Sequence, residues 1–176
     1  RVNDDMANDE NIRFKANNYL KLDEPYAGET QVIHYIEMLR DIVGFDEIAK
    51  KVVNPINKKI GAYYGCLLLR PSKVMAFDKP ENPTVLEDFI KAIGGTPVKY
   101  AMRNECCGAY VGFKDENLPK KRSEKIIDNA VQNGAEMIVT ACPLCYYNLK
   151  QNCGDRSVIA YFTELLAEAL GVKDNG

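Results

Sequence analysis

The chain has 176 residues, of which 46% are hydrophobic and 27% are charged, and its formal net charge is −2 at pH 7. This length is enough for one domain with a hydrophobic core, and the small net charge gives no reason to expect nucleic acid or anionic lipid as a partner. No apolar run approaches the ~20 residues of a membrane-spanning helix, and no apolar signal sequence is evident. We therefore expect a globular protein that neither crosses a membrane nor binds nucleic acid.

Residues 1–55 are predicted to form an N-terminal helical segment and linker. Residues 1–29 are polar and rich in Asn and Asp, with only a weak apolar stripe. A stronger helix is predicted from Thr30 to the helix-ending Gly44, because apolar residues recur about every 3.6 positions. These apolar residues are Val32, Ile36, Leu39 and Val43. Asp46 is predicted to cap a second, shorter helix.

Strands alternate with helices in residues 56–176. The predicted strands are 59–64, 97–101, 136–140 and 157–160, and the predicted helices are 83–93, 119–133, 142–152 and 162–170, with loops at 67–82 and 108–117. The residues predicted to face the core are Leu86, Phe89, Ile90 and Ile93 in one helix and Ile126, Ile127, Ala130 and Val131 in the next. Alternation of this kind predicts an α/β domain, with a mostly parallel, roughly four-stranded sheet covered by helices on both faces. We expect a Rossmann-like, three-layer arrangement.

Five of the six cysteines follow the ends of predicted strands. Cys66 follows the first strand, Cys106 and Cys107 follow the second, and Cys142 follows the third, with Cys145 one helical turn further on. The C-terminal ends of parallel strands lie along one edge of a sheet, where ligand sites of open α/β sheets form. The sequence therefore predicts that these five thiols converge at the C-terminal strand ends.

The grouping of these cysteines points to metal, cluster or redox chemistry in a reducing compartment such as the cytoplasm. A disulfide framework would be spread over a small, loop-rich chain, whereas here a CC pair and a CxxC pair lie in a patterned α/β sequence. Cys142 and Cys145 are predicted at a helix N-terminus, which favours the thiolate form. Gly65 and Gly108 would let the backbone approach a bulky inorganic group and donate N–H···S hydrogen bonds.

The number of thiols bears on which cofactor they hold. Zinc in a structural site takes four ligands, so five thiolates are too many for one zinc ion. An iron–sulfur cluster uses the set best, although an ordinary cubane also needs only four cysteines. Zinc held by a subset of the thiols is the alternative.

Other side chains have weaker claims to a functional role. Cys153 lies outside the pattern and is expected to be a buried or incidental cysteine. Arg70 follows Cys66 closely and is a candidate for steadying the negative charge of a cluster or substrate, with a surface salt bridge as the alternative. His34 is expected to be structural or exposed, and proton donation to a leaving thiolate is the sharper alternative.

The C-x39-CC-x34-C-x2-C arrangement resembles the cysteine-rich CCG-domain family. The stretch Tyr63-Tyr64-Gly65-Cys66-Leu67-Leu68-Leu69-Arg70-Pro71 and the motif Cys142-Pro143-Leu144-Cys145 are particularly similar to the C-terminal half of the CCG-bearing subunit of CoB–CoM heterodisulfide reductases. The resemblance covers roughly residues 30–170. The second spacer is at or just under the short end of the family range, a departure that removes no ligand.

The resemblance implies a function and a set of ligands. Members of the family hold a [4Fe–4S] cluster, which can be non-cubane, and here its ligands would be Cys66, Cys106, Cys107, Cys142 and Cys145. The implied activity is that of an oxidoreductase that reduces a thiol disulfide substrate with electrons from an iron–sulfur partner subunit.

The resemblance also implies that the chain is one part of a longer subunit. The full family subunit carries two such motifs, so the chain is expected to be a C-terminal fragment and an incomplete catalytic unit by itself. Two alternatives remain open: an electron-transfer subunit of a succinate, glycolate or lactate oxidoreductase, and a zinc-binding structural or assembly domain.

Overall fold

The computed structural model describes residues 2–21, 23–30, 32–115 and 117–172. The description leaves out residues 1, 22, 31, 116 and 173–176. Small parts of three predicted segments therefore lie outside the described residues: the N-terminal segment, the loop 108–117 and the C-terminal end. Within the described part of the chain, no helix combines the length and the apolarity needed to cross a membrane.

A four-stranded, all-parallel sheet forms the centre of the fold. Its strands are β1 (Lys59–Tyr63), β2 (Thr96–Val98), β3 (Met137–Thr140) and β4 (Val158–Tyr161), in the spatial order β2-β1-β3-β4. The chain leaves β1 toward one side for β2 and then returns past β1 to the other side for β3. The strand order therefore reverses between β1 and β3, and this is the place where open α/β sheets form a crevice at their C-terminal edge.

Helices cover both faces of this sheet, as the sequence predicts. On one face lie α3 (Tyr35–Met38), α4 (Phe45–Lys51), α6 (Val85–Ala92) and α9 (Phe162–Ala169), and on the other lie α7 (Asn117–Gln132) and α8 (Pro143–Cys153). The remaining helices are α1 (Val2–Asn8), α2 (Glu10–Leu20) and α5 (Ser72–Met75), with a π-helical turn at Leu39–Val43 and a 3-10 turn at Ala109–Val111.

Alternating residues of the strands feed two separate cores. Ile60 and Ala62 of β1 join the core under α6 and α9, whereas Tyr63 joins the core under α7 and α8. Both sets are fully buried, because successive strand residues point to opposite faces and both faces are covered. All four apolar residues that the sequence places inward on α6 are buried, namely Leu86, Phe89, Ile90 and Ile93.

The structure corrects the prediction of a helix starting at Thr30. The helix begins at Tyr35, because His34 is its N-cap and forms a capping box with Glu37. The backbone N–H of His34 donates to the Glu37 carboxylate at 2.7 Å, and the ring Nδ1 of His34 accepts the N–H of Ile36 at 3.2 Å. Val32 therefore lies before the helix and is 75% exposed.

Three smaller predictions are also wrong. Gly44, not Asp46, is the N-cap of α4, and Asp46 lies in the first turn of that helix. Val131 of α7 is 37% exposed rather than buried with Ile126, Ile127 and Ala130. The predicted loop 67–82 contains the short helix α5.

Candidate functional site

The five cysteines lie beyond the C-terminal ends of the strands, at the edge predicted from the sequence. Cys66 is three residues past β1 and Cys142 is two residues past β3, on either side of the point where the strand order reverses. Cys106 and Cys107 lie in the irregular segment after β2, and Cys145 lies in the first turn of α8.

Contacts between their side chains bring the thiols together. Cys107 Sγ and Cys145 Sγ lie 3.6 Å apart, and the Cys145 thiol is also hydrogen-bonded to Cys142. Cys66 lies close enough to Cys106 for that thiol to shift its pKa. Cys107 and Cys145 are buried, the other three are half-buried, and none of the five is in a disulfide.

Four of the thiols have shifted pKa values, two of them lowered and two raised. The hydrogen bond from Cys145 lowers the pKa of Cys107 and that of Cys142 to about 6. The pKa of Cys145 is raised by its interactions with the Cys107 and Cys142 thiols and by burial. Burial raises the pKa of Cys66 to about 11, and the hydrogen bond with Cys106 adds to this shift. Thiolates are the metal-binding form of cysteine, so Cys107 and Cys142 would bind a metal at a lower proton cost than Cys66 and Cys145, which would first have to lose a proton.

The start of α8 contributes directly to the low pKa of Cys142. Cys142 is the N-cap residue and Pro143 follows at the first helical position, where its missing N–H does no harm. The backbone N–H groups of Leu144 and Cys145 then point back at the Cys142 sulfur and stabilise its thiolate. The predicted placement of the CxxC motif at a helix N-terminus is confirmed.

Neutral and cationic donors fix the backbone of the CC pair. Asn148 of α8 is buried, and its side-chain amide donates to the carbonyl of Cys107 at 3.0 Å. Arg122 of α7 donates to the carbonyl of Cys106 at 3.0 Å, and the N–H of Gly108 donates to Cys106 Sγ at 3.3 Å. Sequence reasoning missed Asn148, although a polar residue one turn after Cys145 on the buried side of the CxxC helix was the available signal.

Gly65 leaves room for the sulfurs. It has φ +66°, and a Cβ added there would lie 2.9 Å from Cys145 Sγ, closer than real Cβ atoms approach a neighbour. The backbone between β1 and Cys66 can pass the sulfurs only because this residue has no side chain. All-thiol ligands, backbone N–H donors to sulfur and a glycine against the sulfurs suit an iron–sulfur cluster.

In this conformation the sulfurs contact one another instead of surrounding a common point. Among the described residues, no group of three or more His, Cys, Asp or Glu side chains is arranged to hold a single metal ion.

The weaker candidates lie at the periphery of the thiols or apart from them. His34 Nε2 lies 3.2 Å from the carbonyl of Ala141, next to Cys142, so both of its ring nitrogens are engaged. Burial lowers the pKa of His34. Arg70 is 54% exposed and pairs with Glu81 at 3.5 Å. Cys153 is the last residue of α8, at the opposite end from the CxxC motif, and donates its thiol to a carbonyl of its own helix.

Fold and site together define a class: an α/β domain that gathers cysteines from three chain segments at the switch point of a parallel sheet. The model of the CCG cysteine-rich domain family matches residues 60–150, about half of the chain. The chain therefore belongs to the CCG cysteine-rich domain family, and the resemblance seen in the sequence is confirmed.

Three characterised relatives are subunits of reductases. The chain is similar to the 8-methylmenaquinol:fumarate reductase membrane anchor subunit of Wolinella succinogenes (31% identity, 93% of this chain, 61% of the relative). It is similar to a subunit of the ferredoxin:CoB-CoM heterodisulfide reductase of Methanosarcina mazei (28% identity, 97% of this chain, 61% of the relative). It is also similar to a subunit of the dihydromethanophenazine:CoB–CoM heterodisulfide reductase of Methanosarcina barkeri (31% identity, 81% of this chain, 34% of the relative). The chain thus spans 61% of the length of the first two relatives and a third of the last.

Proposed function

We propose that the chain is the cluster-bearing part of a heterodisulfide-reductase-like subunit. Its [4Fe–4S] cluster, non-cubane as the family allows, would be held by Cys66, Cys106, Cys107, Cys142 and Cys145. When bound, such a cluster supplies one-electron transfer at a site partly shielded from water. Partner subunits would deliver the electrons, and a small-molecule thiol disulfide would be reduced.

One observation carries this proposal. Three chain segments that are distant in sequence bring five thiols to one edge of the sheet, where Cys107 and Cys145 are in contact and where Cys66 and Cys142 each have a pKa shifted by a neighbouring thiol. The donors around them stabilise thiolate charge, and Gly65 removes the side chain that would press on Cys145. The names of the relatives, which are reductase subunits, support the same class of chemistry.

The other residues have subordinate roles in the proposal. We propose that Arg70 stabilises negative charge near the site, since it is half-exposed and lies four residues after Cys66. For His34 we propose a positioning role in place of proton donation, because both ring nitrogens are already used. Six free cysteines support a reducing location, which we take to be the cytoplasm.

The proposed division of the chain places a helical segment and linker in residues 1–55 and the CCG domain in residues 56–176. The family match starts at residue 60, and α2 contributes no buried residue, which support this boundary. Ile36 and Ile48 nevertheless pack into the core under α6, so the second half of the linker would be attached to the domain rather than free.

The test is metal and sulfide analysis of protein purified without oxygen, followed by EPR after oxidation. About four irons and four sulfides per chain are expected, the content of one [4Fe–4S] cluster. A Cys107→Ser variant should lose iron or change the EPR spectrum, whereas the matched control Cys153→Ser should keep both. About one zinc without sulfide would contradict the proposal and favour the zinc-binding structural domain.

The fumarate reductase relative favours a second candidate, an electron-transfer subunit without disulfide chemistry. Adding a small thiol to the oxidised, cluster-loaded protein separates the two. A changed EPR spectrum is expected for a site that handles disulfides, and an unchanged spectrum would favour a role limited to electron transfer.

A further inference from the structure

A buried ion pair lies behind the segment that carries the CC pair. Glu87 of α6 is 2% exposed, and Arg103 is 11% exposed. Glu87 Oε1 and Arg103 Nε lie 3.3 Å apart, and the hydroxyl of Tyr64 donates to Glu87 Oε2. The same hydroxyl accepts the backbone N–H of Leu86 at 2.8 Å. The sequence shows no sign of this cluster, because its members are far apart along the chain.

The three side chains close a ring between two cysteine-bearing segments. The backbone N–H of Tyr64 donates to the carbonyl of Arg103 at 2.8 Å, while their side chains meet on Glu87. Tyr64 stands two residues before Cys66, and Arg103 stands three residues before Cys106. The ring therefore links the chain leading to Cys66 with the chain leading to Cys106.

The segment before Cys106 depends on such links because the sheet does not hold it. β2 ends at Val98, and residues 101–105 form turns outside any strand or helix. Arg103 Nη2 donates to Asn82 Oδ1 at 2.7 Å, and Asn104 donates to the carbonyl of Pro80 at 2.9 Å. Beside the single backbone hydrogen bond from Tyr64 to Arg103, polar side chains thus supply most of the links that hold this segment.

An ion pair is an unusual choice for a buried position such as that of Glu87 and Arg103. Apolar residues of similar size stabilise a core as well as or better than a buried ion pair, whereas the pair imposes a defined geometry on its partners. We propose that Glu87 and Arg103 are positioning residues that fix Cys66 relative to Cys106 and Cys107 for cluster binding. This inference rests on the proposed function, since it assigns the ring a role toward the cluster.

The adjacent residue on α6 provides a matched control. Asp88 carries the same charge as Glu87 but is exposed, and its partner Lys91 is exposed as well. Glu87→Gln and Asp88→Asn therefore make the same change of charge at neighbouring positions, one inside the ring and one outside it. Far-UV circular dichroism and a thermal melt establish that each variant is folded.

The first measurement is cross-linking of the reduced, metal-free chain with dibromobimane, a bis-alkylating reagent, with the bridged cysteines identified by mass spectrometry. In the wild type and in Asp88→Asn we expect bridges between Cys66 and Cys106 and between Cys107 and Cys145. In Glu87→Gln the Cys66–Cys106 bridge should fall several-fold, while the Cys107–Cys145 bridge should be unchanged. A general loss of stability would lower both.

The second measurement is the EPR spectrum and midpoint potential of the cluster-loaded variants. Glu87→Gln should alter the spectrum, Arg103→Lys should alter it less because it keeps the charge, and Asp88→Asn should match the wild type. The inference would be overturned if Glu87→Gln showed the same Cys66–Cys106 cross-link yield and the same EPR spectrum as the wild type. A loss of the cross-link with an unchanged spectrum would overturn its connection with the cluster.

Two further outcomes are distinguishable. If the wild type takes up no cluster, the proposed function fails and so does the assigned role, while the cross-link alone reports whether the ring positions the thiols. If Glu87→Gln does not fold, Tyr64→Phe removes only one link of the ring. It should lower the Cys66–Cys106 bridge to a smaller extent, and an unchanged bridge would overturn the inference.

Discussion

A buried ion pair links the chain leading to Cys66 with the chain leading to Cys106, and the Arg122 guanidinium donates to the Cys106 carbonyl, whereas the neutral amide of Asn148 donates to the Cys107 carbonyl and backbone N–H groups stabilise the Cys142 thiolate. We call these the 66/106 side and the 107/145 side of the site. On the 107/145 side the bracing residue, Asn148, lies in the same helix as Cys145. On the 66/106 side the support comes from Glu87 of α6 and Arg122 of α7, two helices that carry no cysteine.

The difference follows from the local secondary structure. A helix presents residues three apart on one face, so α8 can carry both Cys145 and the Asn148 side chain that supports the neighbouring CC pair. The segment before Cys106 has no regular structure and must be braced by side chains from elsewhere. The comparison teaches that a cysteine in a regular helix is supported from within that helix, whereas the irregular segment before Cys106 takes its support from side chains of other elements.

The largest effect is expected at Gly65, where the two sides meet. Gly65→Ala should destabilise the fold by about 1–2 kcal/mol through its left-handed backbone, and by a further ~1–3 kcal/mol through pressure on Cys145. Cluster loading should fall as well, because Cys145 is displaced. Urea unfolding and iron content measure the two effects.

Gly134→Ala is the control for Gly65. Gly134 also has positive φ, +91°, but an added Cβ would have nothing within 4 Å. The Gly134→Ala variant should lose stability from the same left-handed backbone strain as Gly65→Ala, but its iron content should stay at the wild-type level. Equal loss of iron in both variants would mean that the contact with Cys145 is unimportant.

Asn148→Ala tests the neutral 107/145 side. It leaves the Cys107 carbonyl without its amide donor in a buried place, so we expect a loss of about 1–3 kcal/mol in unfolding free energy. Asn133→Ala is the control, because the Asn133 side chain donates to the carbonyl of Asn129 at an exposed position. Chemical denaturation measures the unfolding free energy of both variants. Equal losses of unfolding free energy in the two would contradict the role of Asn148 in supporting the CC pair.

His34 should give the smallest effect, and one that depends on pH. Because burial lowers the pKa of folded His34 below its ordinary 6.5, the unfolded chain takes up the proton first as the pH falls. The stability from neutral His34 is therefore fully present above about pH 6.5 and is lost as the pH falls through the folded pKa. Protonation would also remove the Nδ1 acceptor that caps α3.

His34→Asn keeps a capping residue and removes the titrating group. Unfolding free energies at about pH 5.5 and about pH 7.5 bracket the ordinary histidine pKa. The variant should be less stable by about 1 kcal/mol at the higher pH, from the lost bond to Ala141. Its change between the two pH values should be smaller than that of the wild type, and an equal change would exclude His34 as the source.

The sheet and the edge at which the thiols meet could be predicted because they depend on local pattern. Apolar strands separated by amphipathic helices predict a parallel sheet, and the position of each cysteine after a strand then follows from topology. The helix start at Tyr35 was missed because His34 is an uncommon N-cap, and its capping role depends on Glu37 and the Ala141 contact.

The bracing residues could not be predicted for a different reason. Glu87 and Arg103 are 16 positions apart, and Asn148 is 41 positions from Cys107. Such polar pairs leave no periodicity in a sequence. On an amphipathic helix such as α6, Glu87 looks like one more solvent-facing charge until the fold shows what it faces.

The central position of β1 has a consequence for the timing of biosynthesis. β1 pairs with β3, and the N–H of Lys59 donates to the Glu136 carboxylate across 77 residues of chain. A nascent chain that has not yet synthesised β3 already contains Cys66, Cys106 and Cys107, but it lacks the strand that pairs with the other side of β1 and the two thiols that follow that strand. Non-local pairing of this kind forms late in folding. The five thiols can therefore come together only after most of the domain has been synthesised, and until then the three early thiols are without their partners.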